Sequence, residues 1–318
     1  MGPLLYILYT SEIGELLSSC GVLNQIYADD TQAYIHCPAT KAPSSVLAMQ
    51  IAIDSLQSWM SINRLRLNPS KTEFIWLGTR QQLAKIDFSA LSTAFPLFSF
   101  STSVRDLGVI LDQELSFTKH INSVTRSCFY QLRQLRVISR SLSSNAAAIL
   151  VHAFISSRLD YCSTLYAGIS KGRIGQLERV HRAAARLIGG IPKTGHVSAY
   201  MRDVLHWLPI PQRITFRISS LVWRCLSGAA PLYLQELCSP VVYRSTCRML
   251  RSVTQGLLVV PFSRTATMQQ RAFSVVGPTT WNDLPLDLRL LSRNLNSTFY
   301  STLKTVLFDR GCNGSASE

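Results

Sequence analysis

The sequence predicts an α+β fold in which a short strand hairpin near the amino terminus is followed by a mostly helical chain. Three observations support this class. Apolar and polar residues alternate over residues 23–27 and 31–36, which is typical of half-buried strands. Later segments repeat apolar residues at helical spacing, opposite rows of arginine. A length of 318 residues with 47% hydrophobic residues suffices for two or three packed domains and excludes a largely disordered chain.

The first hundred residues alternate between predicted helices and strands. A helix is predicted over residues 4–17, after Gly2-Pro3, because proline is tolerated in the first helical turn. The hairpin follows, with two adjacent carboxylates, Asp29 and Asp30, at its tip. Residues 44–63 are predicted to be helical and residues 73–77 to form a strand. Residues 79–103 are rich in Ser and Phe, and an apolar run over 104–111, broken by Gly108, follows them.

The remaining chain is predicted to be largely helical. Residues 117–140 carry an apolar stripe, and on the opposite side basic residues recur every seven positions at Lys119, Arg126, Arg133 and Arg140. The predicted helix over 173–188 repeats this two-sided pattern with Arg179, Arg182 and Arg186. Helices are also predicted over 144–158, 211–226 and 298–308, and strand-like or buried segments over 256–262 and 271–276. The predicted domains are residues 1–100, 101–192 and 193–310, followed by a frayed tail over 311–318.

The charge of the chain is unevenly distributed. The formal net charge is +14 and the pI is about 9.7, yet residues 1–40 contain four acidic and no basic residues. The first forty residues are therefore −4 and the remainder is +18. Such a distribution suits a protein that holds polyphosphate broadly and a divalent cation at one point. A basic protein without such partners would show the same balance, and charge alone does not separate the two interpretations.

The cysteines and the hydropathy pattern indicate an intracellular protein. Eight cysteines are scattered without a C-x-x-C pair or zinc-type spacing, which is typical of reduced thiols. The amino terminus lacks the basic region of a secretion signal. The longest uncharged stretches are shorter than the roughly 20 apolar residues of a membrane span. We therefore expect a nuclear or cytoplasmic protein that is neither secreted nor bound in a membrane; the oligomeric state is not indicated.

The Asp29-Asp30 pair has two interpretations when it is taken alone. Aspartate is an ordinary turn residue, so the pair can simply close a hairpin. Two adjacent carboxylates are also the oxygen ligands that Mg²⁺ prefers, in the arrangement used for two-metal nucleotidyl transfer.

Several ordered motifs favour the second interpretation. They are Gly2-Pro3-Leu4-Leu5, Tyr27-Ala28-Asp29-Asp30-Thr31-Gln32, Leu67-Asn68 with Lys71-Thr72-Glu73, and Val104-Arg105-Asp106-Leu107-Gly108-Val109. Together they resemble the palm and primer-grip strand of non-LTR (LINE, jockey-like) retrotransposon reverse transcriptases. The similarity continues through Ile155-Ser156-Ser157-Arg158-Leu159-Asp160-Tyr161-Cys162, Arg182-Ala183-Ala184-Ala185-Arg186, Leu205-His206-Trp207-Leu208-Pro209, Arg271-Ala272-Phe273 and Trp281-Asn282-Asp283-Leu284-Pro285. The resemblance implies a partial palm, a helical thumb and a mostly helical carboxy-terminal domain.

The resemblance also implies roles for individual residues. Asp29 would be a catalytic metal ligand and Asp30 its second carboxylate, with Mg²⁺ (or Mn²⁺) as the cofactor. Tyr27 and Ala28 would line the nucleotide and the primer end, and Leu107, Gly108 and Val109 would seat the primer terminus. Lys71 would contact or protonate the leaving pyrophosphate, or else it is a solvated lysine at a strand start. The implied partners are an RNA template, a DNA primer and deoxynucleoside triphosphates.

The sequence departs from this family upstream of Gly2. Family members carry fingers, a Gln-Gly-Ser element and a further metal-binding palm Asp before this point. Because cooperating catalytic groups lose orders of magnitude in rate when one is removed, we expect this chain alone not to polymerise. The alternatives are a non-catalytic nucleic-acid-binding relic or host-retained protein, and a fragment that does not fold alone.

The arginine rows on the predicted helices also have two interpretations. Charged residues normally fill the helix face away from the core, so the rows can be solvated surface. Alternatively, they lie along template and primer phosphates and give sequence-independent, salt-dependent binding.

Overall fold

A computed structural model of the chain describes residues 2–96, 98–241, 255–263 and 269–313. It contains two compact units, Met1–Phe117 and Thr118–Glu318, called here the first unit and the second unit. The predicted α+β class is confirmed: the chain is mostly helical, and its strands form antiparallel hairpins. The finer predicted division at residues 100, 192 and 310 stays a prediction.

The described residues of the first unit form five α-helices, a 3-10 turn (Ala39–Lys41) and two small hairpins. The helices are α1 (Gly2–Tyr9), α2 (Glu12–Ser19), α3 (Ala42–Ile62), α4 (Arg80–Leu83) and α5 (Phe88–Ala94), and the strands are β1 (Leu23–Tyr27), β2 (Asp30–Tyr34), β3 (Ser103–Asp106) and β4 (Val109–Asp112). The helix predicted over residues 4–17 is wrong as one element, because it is divided into α1 and α2. At the break, the Thr10 hydroxyl donates to the Tyr6 carbonyl and the Ser11 hydroxyl to the Leu8 carbonyl. Such side-chain bonds compete with the helical backbone pattern.

Two apolar clusters hold the first unit together. One packs α2, the first hairpin and α3 around Leu17, Ala52 and Leu56. The other joins α3 to the Phe-rich segment, where the Phe74 and Phe98 rings lie 4.4 Å apart. The strand predicted over residues 73–77 is wrong: the structure has a single parallel bridge between Phe74 and Phe100. Ring packing, rather than a strand ladder, orders this segment.

The second unit is helical in its described parts. Its helices are α6 (Thr118–Ile138), α7 (Ser144–Val151), α8 (Ser157–Asp160), α9 (Lys171–Gly189), α10 (Ser198–Asp203), α11 (Ile210–Leu226), α12 (Leu232–Gln235), α13 (Phe273–Asn282), α14 (Leu286–Leu290) and α15 (Asn296–Asn313). A π-helical turn, His152–Ser156, joins α7 to α8. No helix in the described ranges is both long and apolar enough to cross a membrane.

An aromatic cluster forms the core between α11, α13 and α15. The Trp223 ring stacks on Phe299 at 4.0 Å, and Trp281 lies 6.0 Å from the same ring. The Arg293 guanidinium lies 4.8 Å from the Trp223 ring centroid and 5.0 Å from that of Trp281. Burial lowers the pKa of this arginine, and the rings offset part of the cost of its burial.

The segments predicted to be strand-like near the carboxy terminus differ from expectation. Residues 273–276 are the first turn of α13, so the strand-like interpretation of 271–276 is wrong. Over residues 256–262 a single bridge forms between Leu258 and Pro240. The Asn282 side chain takes the place of backbone hydrogen bonds from a neighbouring strand. Its Oδ1 accepts from the Leu258 N–H at 2.8 Å, and its Nδ2 donates to the Leu258 carbonyl at 2.9 Å. A residue on a helix therefore satisfies the backbone that a strand would otherwise pair. The frayed tail predicted over 311–318 is wrong for residues 311–313, which continue α15, and residues 314–318 lie outside the described residues.

A half-buried ion pair joins α8 and α11 of the second unit. The Arg213 guanidinium on α11 donates to both carboxylate oxygens of Asp160 on α8, at 2.7 and 2.9 Å. Arg217, one turn further along α11, is 2.9 Å from the same carboxylate. Burial raises the pKa of Asp160, but the hydrogen bonds and charges of the two arginines outweigh it, so the net pKa is lowered.

His181 on α9 completes this network as a neutral imidazole. Its Nε2 lies 3.2 Å from Arg213 Nη1, and a guanidinium can only donate, so Nε2 must be the unprotonated acceptor. The ring stacks on Trp207 with centroids 4.8 Å apart. Burial and the charge of Arg213 lower the pKa of His181 to about 3, against the opposing effect of Asp160.

We expect His181 to make the stability of the second unit depend on pH. Its pKa is about 3 when folded and roughly 6.5 when unfolded, so the unfolded chain binds the extra proton between these values. The free energy of unfolding should therefore fall as pH drops below about 6.5, by up to about 1.4 kcal/mol per pH unit from this group. Urea denaturation followed between about pH 7 and 5 measures this slope.

The slope should flatten in His181→Phe, which keeps a ring beside Trp207 but cannot titrate. The exposed His196→Gln serves as the control and should retain the wild-type slope. Equal slopes in the wild type and His181→Phe would contradict the assignment. Asp160 does not account for the slope, because its lowered pKa places its titration below this pH window.

Candidate functional site

The Tyr27-Ala28-Asp29-Asp30 segment forms the closed end of the first hairpin. Tyr27 at the end of β1 pairs with Asp30 at the start of β2, so Ala28 and Asp29 make the turn. Ala28 adopts a φ of 53°, which lets the chain reverse within two residues. All four residues are exposed. The predicted hairpin is confirmed, with its tip one residue earlier than expected because Asp30 already belongs to the ladder.

The two faces of this hairpin have different environments. Ile26 and Ala33 pack against the core of the first unit. The opposite face carries the cross-strand pairs Gln25–Gln32 and Tyr27–Asp30, since side chains alternate along a strand. The core therefore fixes which face presents Asp30, and the tight turn presents Asp29 beside it.

The second hairpin forms where one primer-grip strand was expected. The primer-grip strand expected over Val104–Val109 is wrong as a single element, because β3 and β4 reverse at Leu107-Gly108. Both turn residues have positive φ, 43° and 84°, a combination that closes two-residue hairpins. Leu107 and Gly108 are exposed, whereas Val109 is buried beneath the turn.

A hydrogen bond joins the two hairpins. The Gln32 side-chain amide donates to the Asp106 carboxylate, with Nε2 and Oδ1 2.7 Å apart. Burial raises the pKa of Asp106, the Gln32 bond opposes this shift, and the negative charge of Asp30 adds to it. A third carboxylate thus lies within electrostatic reach of the Asp29-Asp30 turn. Sequence reasoning missed Asp106 and Gln32, although both lie inside quoted motifs and directly beside candidate residues.

The carboxylates at the turn fit a weakly held divalent cation. Carboxylate oxygens are the ligands that Mg²⁺ and Mn²⁺ take, and both groups are accessible. Two exposed carboxylates form only part of a metal shell, and in the described residues no three His, Cys, Asp or Glu side chains converge on one point. Asp29 and Asp30 would therefore hold the ion with water or with ligands from elsewhere.

Lys71 lies in a turn after α3. The Asn68 carboxamide oxygen of this turn accepts from the Ser70 backbone and hydroxyl at 3.1 and 2.7 Å. The Lys71 side chain is exposed, and among the described contacts none joins it to Asp29 or Asp30. The neighbouring Glu73 reaches the second hairpin, where its carboxylate accepts from the Arg105 N–H at 3.4 Å. The role predicted for Lys71 stays a prediction.

Comparison with known proteins identifies relatives of the chain, although no protein-family model matches it. The RNA-directed DNA polymerase from mobile element jockey of Drosophila funebris is 23% identical over 200 residues, which are 60% of this chain and 21% of that protein. The probable RNA-directed DNA polymerase from transposon BS of Drosophila melanogaster is 23% identical over 216 residues, 64% of this chain and 23% of that protein. The RNA-directed DNA polymerase from mobile element jockey of Drosophila melanogaster is 22% identical over 222 residues, which are 67% of this chain and 23% of that protein.

The resemblance to jockey-like polymerases is confirmed. This chain is similar to the RNA-directed DNA polymerases of jockey-like retrotransposons. The matched part spans less than a quarter of the length of these relatives.

The two predicted rows of basic residues differ in the exposure and local contacts of their side chains. On α6, Lys119, Arg126 and Arg133 have exposed side chains. Arg140 lies beyond the end of α6, in a 3-10 turn, so the expectation of one continuous helix to residue 140 is wrong. The Ser139 hydroxyl bonds back to the Arg136 carbonyl at 2.8 Å at this end, in place of a further helical N–H.

The row on α9 is partly engaged in local contacts. Arg179 is exposed, and Arg182 pairs with Glu178 at 3.2 Å across one helical turn. Arg186 is half-buried and donates to the Gly195 carbonyl at 3.3 Å, which fastens the loop after α9. Arg126 and Arg133 on α6 are therefore more accessible for phosphate contacts than Arg186 on α9.

We expect the Gln32–Asp106 hydrogen bond to hold the two hairpins together. Gln32→Ala should lower the local free energy of opening by about 1 kcal/mol, the typical net value of such a bond. Hydrogen exchange measured by mass spectrometry should be faster in peptides covering β1–β2 and β3–β4. Gln25→Ala is a matched control, because Gln25 pairs directly with Gln32 across the hairpin and is exposed. Equal exchange in the two variants would show that the bond contributes nothing.

Proposed function

We propose that this chain is the part of a non-LTR retrotransposon RNA-directed DNA polymerase that carries two of its catalytic carboxylates. The observation that supports it most is the hairpin turn: it exposes Asp29 and Asp30 together, in a chain similar to jockey-like polymerases. Asp29 and Asp30 would hold Mg²⁺ (or Mn²⁺). When bound, such ions supply activation of the attacking primer hydroxyl and stabilisation of the leaving pyrophosphate.

The surrounding residues have positioning roles in this proposal. Tyr27, which is 65% exposed, would lie against the incoming nucleotide or the primer end together with Ala28. The exposed turn at Leu107 and Gly108 would seat the primer terminus, and Val109 beneath it would keep the turn in place. Lys71 would reach the leaving pyrophosphate.

We propose further that the catalytic site needs chain segments besides these. Leu4, Leu5, Ile7 and Leu8 on α1 are each more than half exposed, an apolar surface of the kind that normally packs against another segment. The first hairpin is a two-stranded sheet with open edges in the described structure, and such sheets are marginal without further strands. Together with the small share of the relatives that the chain matches, these features support a partial polymerase.

The basic residues of the second unit would bind the primer and template backbone. Lys119, Arg126 and Arg133 on α6 form the accessible row, and Arg140 continues it in the following turn. On α9, the N–H groups of Arg179, Arg182 and Arg186 that local contacts leave unused would also donate to phosphates.

A second candidate function is non-catalytic nucleic-acid binding. It is favoured because the carboxylate pair lacks a third clustered ligand in the described structure.

We predict that a divalent cation binds at the hairpin turn. With Fe²⁺ in place of Mg²⁺, ascorbate and peroxide should generate hydroxyl radicals that cut the backbone near residues 27–31. Asp29→Asn and Asp30→Asn should each weaken this cleavage, since each removes a ligand charge. Asp54→Asn, which removes an exposed carboxylate of the same unit, is the control and should cut like the wild type. Cleavage unchanged in both hairpin variants would contradict the metal assignment.

We predict salt-dependent binding of an RNA template annealed to a DNA primer. Replacing Arg126 and Arg133 together by Ala should weaken binding and lower the slope of log affinity against log salt by about 2. Replacing the exposed Lys85 and Lys193 together is the charge-matched control. A salt slope that the Arg126 and Arg133 substitutions leave unchanged would exclude the α6 row.

We expect no primer extension by this chain with Mg²⁺ and deoxynucleoside triphosphates. Extension that Asp29→Ala abolishes would contradict this and would show a complete polymerase.

A further inference from the structure

A basic pocket that the polymerase site does not use lies within the second unit. Its volume is about 790 Å³, and its walls come from α8 and the turn after it, from the segment before α11, and from α11 and α15. Two of the resemblance motifs meet here although they are more than 40 residues apart in sequence: Asp160 and Cys162 come from one, and His206 and Trp207 from the other. Neither motif has a role in the catalytic hairpin.

The pocket has an excess of positive charge. Its described lining includes four cationic side chains and one carboxylate. The cations are Arg213, Arg217, Arg224 and Lys304, and the carboxylate is Asp160. Both oxygens of Asp160 are engaged by Arg213, and Arg217 shares one of them. The single negative charge is therefore neutralised within the wall, and about three positive charges remain for a ligand.

Arg213 supports the pocket wall, whereas the three exposed cations can contact a ligand. Arg213 is about four-fifths buried and is fixed by Asp160 and His181, so it belongs to the wall. Arg217, Arg224 and Lys304 are exposed at the pocket. Guanidinium groups donate in a planar fork that matches the oxygens of phosphate, and Asp160 holds Arg217 in place for that contact.

Aromatic rings line the same pocket as these cations. Phe216 and Tyr300 are half-buried with centroids 6.3 Å apart, and exposed His152 and His206 lie at the rim. The π-helical turn His152–Ser156 places His152 there, and such turns are frequent at functional sites. Cations that bind phosphate, together with aromatic rings, are the combination that holds single-stranded nucleic acid.

We propose that this pocket binds an unpaired nucleotide of a single-stranded RNA, with Arg217, Arg224 and Lys304 on its phosphates. A cavity of this volume accommodates a ligand of one or two nucleotides, and an unstacked base can enter it whereas a base held within a duplex cannot. The phosphate chemistry follows from the pocket alone, whereas the choice of RNA rests on the proposed function. The pocket would give the chain a second nucleic-acid contact besides the α6 row.

The test is fluorescence anisotropy with a labelled uridine-only RNA of about eight nucleotides, a length within the usual range for such sites. Arg217→Ala and Lys304→Ala should each weaken binding about tenfold, the effect expected for one charge-assisted contact. Lys193→Ala, an exposed lysine elsewhere in the second unit, is the matched control for Lys304→Ala. Affinities within twofold of that control for both pocket variants would overturn the proposal.

A second measurement does not depend on substitutions. RNA containing 4-thiouridine should cross-link under ultraviolet light to peptides that contain Tyr300 or His206, and cross-links confined to other segments would overturn the proposal. A blunt RNA duplex should bind the pocket variants and the control equally; equal weakening for duplex and single strand would overturn the single-strand assignment. Competition by free uridine monophosphate at micromolar concentration would instead indicate a nucleotide site and overturn the assignment to a strand.

These outcomes are separable from the proposed function. Weakening by the paired Arg126 and Arg133 substitutions but not by the pocket variants would overturn the pocket and leave the α6 row in place. The reverse result would support the pocket and exclude that row.

Discussion

The ion pair between Arg213 and Asp160 is the constraint on which the second unit depends. Its partners are 53 residues apart, and the contact fixes α11 against the end of α8 while His181 ties in α9. Both side chains are about one-fifth exposed, so a lone charge left there would be poorly solvated. We expect the pair to contribute more to choosing one arrangement of the helices than to the net free energy of folding. The walls of the basic pocket follow from this arrangement.

The first unit is organised differently, because its strands cannot stabilise themselves. Each hairpin has only two strands, and such units are marginal in water without further packing. The first hairpin gains its packing from α2 and α3, and the second is joined to it through Gln32 and Asp106. The carboxylates at the turn thus lie on a support that depends on a few contacts. An element whose apolar surfaces remain exposed, as on α1, gains further order when another segment covers them.

Long amphipathic elements were predictable from the sequence, and the contacts between them were not. Residues 211–226 were predicted as a helix, and α11 is Ile210–Leu226, because many residues at helical spacing combine into one signal. The predictions of short elements were wrong where one local feature decided the backbone conformation. The reversal at Leu107 needs a positive φ in a non-glycine residue, and the Asn282 side chain that pairs with Leu258 leaves no periodic pattern. The Asp29-Asp30 turn was found from motif order, whereas Asp106 became visible only through the register of two separate hairpins.

The two units differ in net charge, and this difference matches the two tasks in the proposed function. Residues 1–117 contain seven basic and ten acidic residues, a net charge of −3. The whole chain carries +14, so residues 118–318 carry +17. Under the proposed function, a negative unit would attract the divalent cation assigned to its carboxylates but would repel phosphates, so affinity for nucleic acid would come from the second unit. Because phosphate binding weakens steeply with salt, the hold on nucleic acid should be lost at ionic strengths that leave the apolar cores of both units intact.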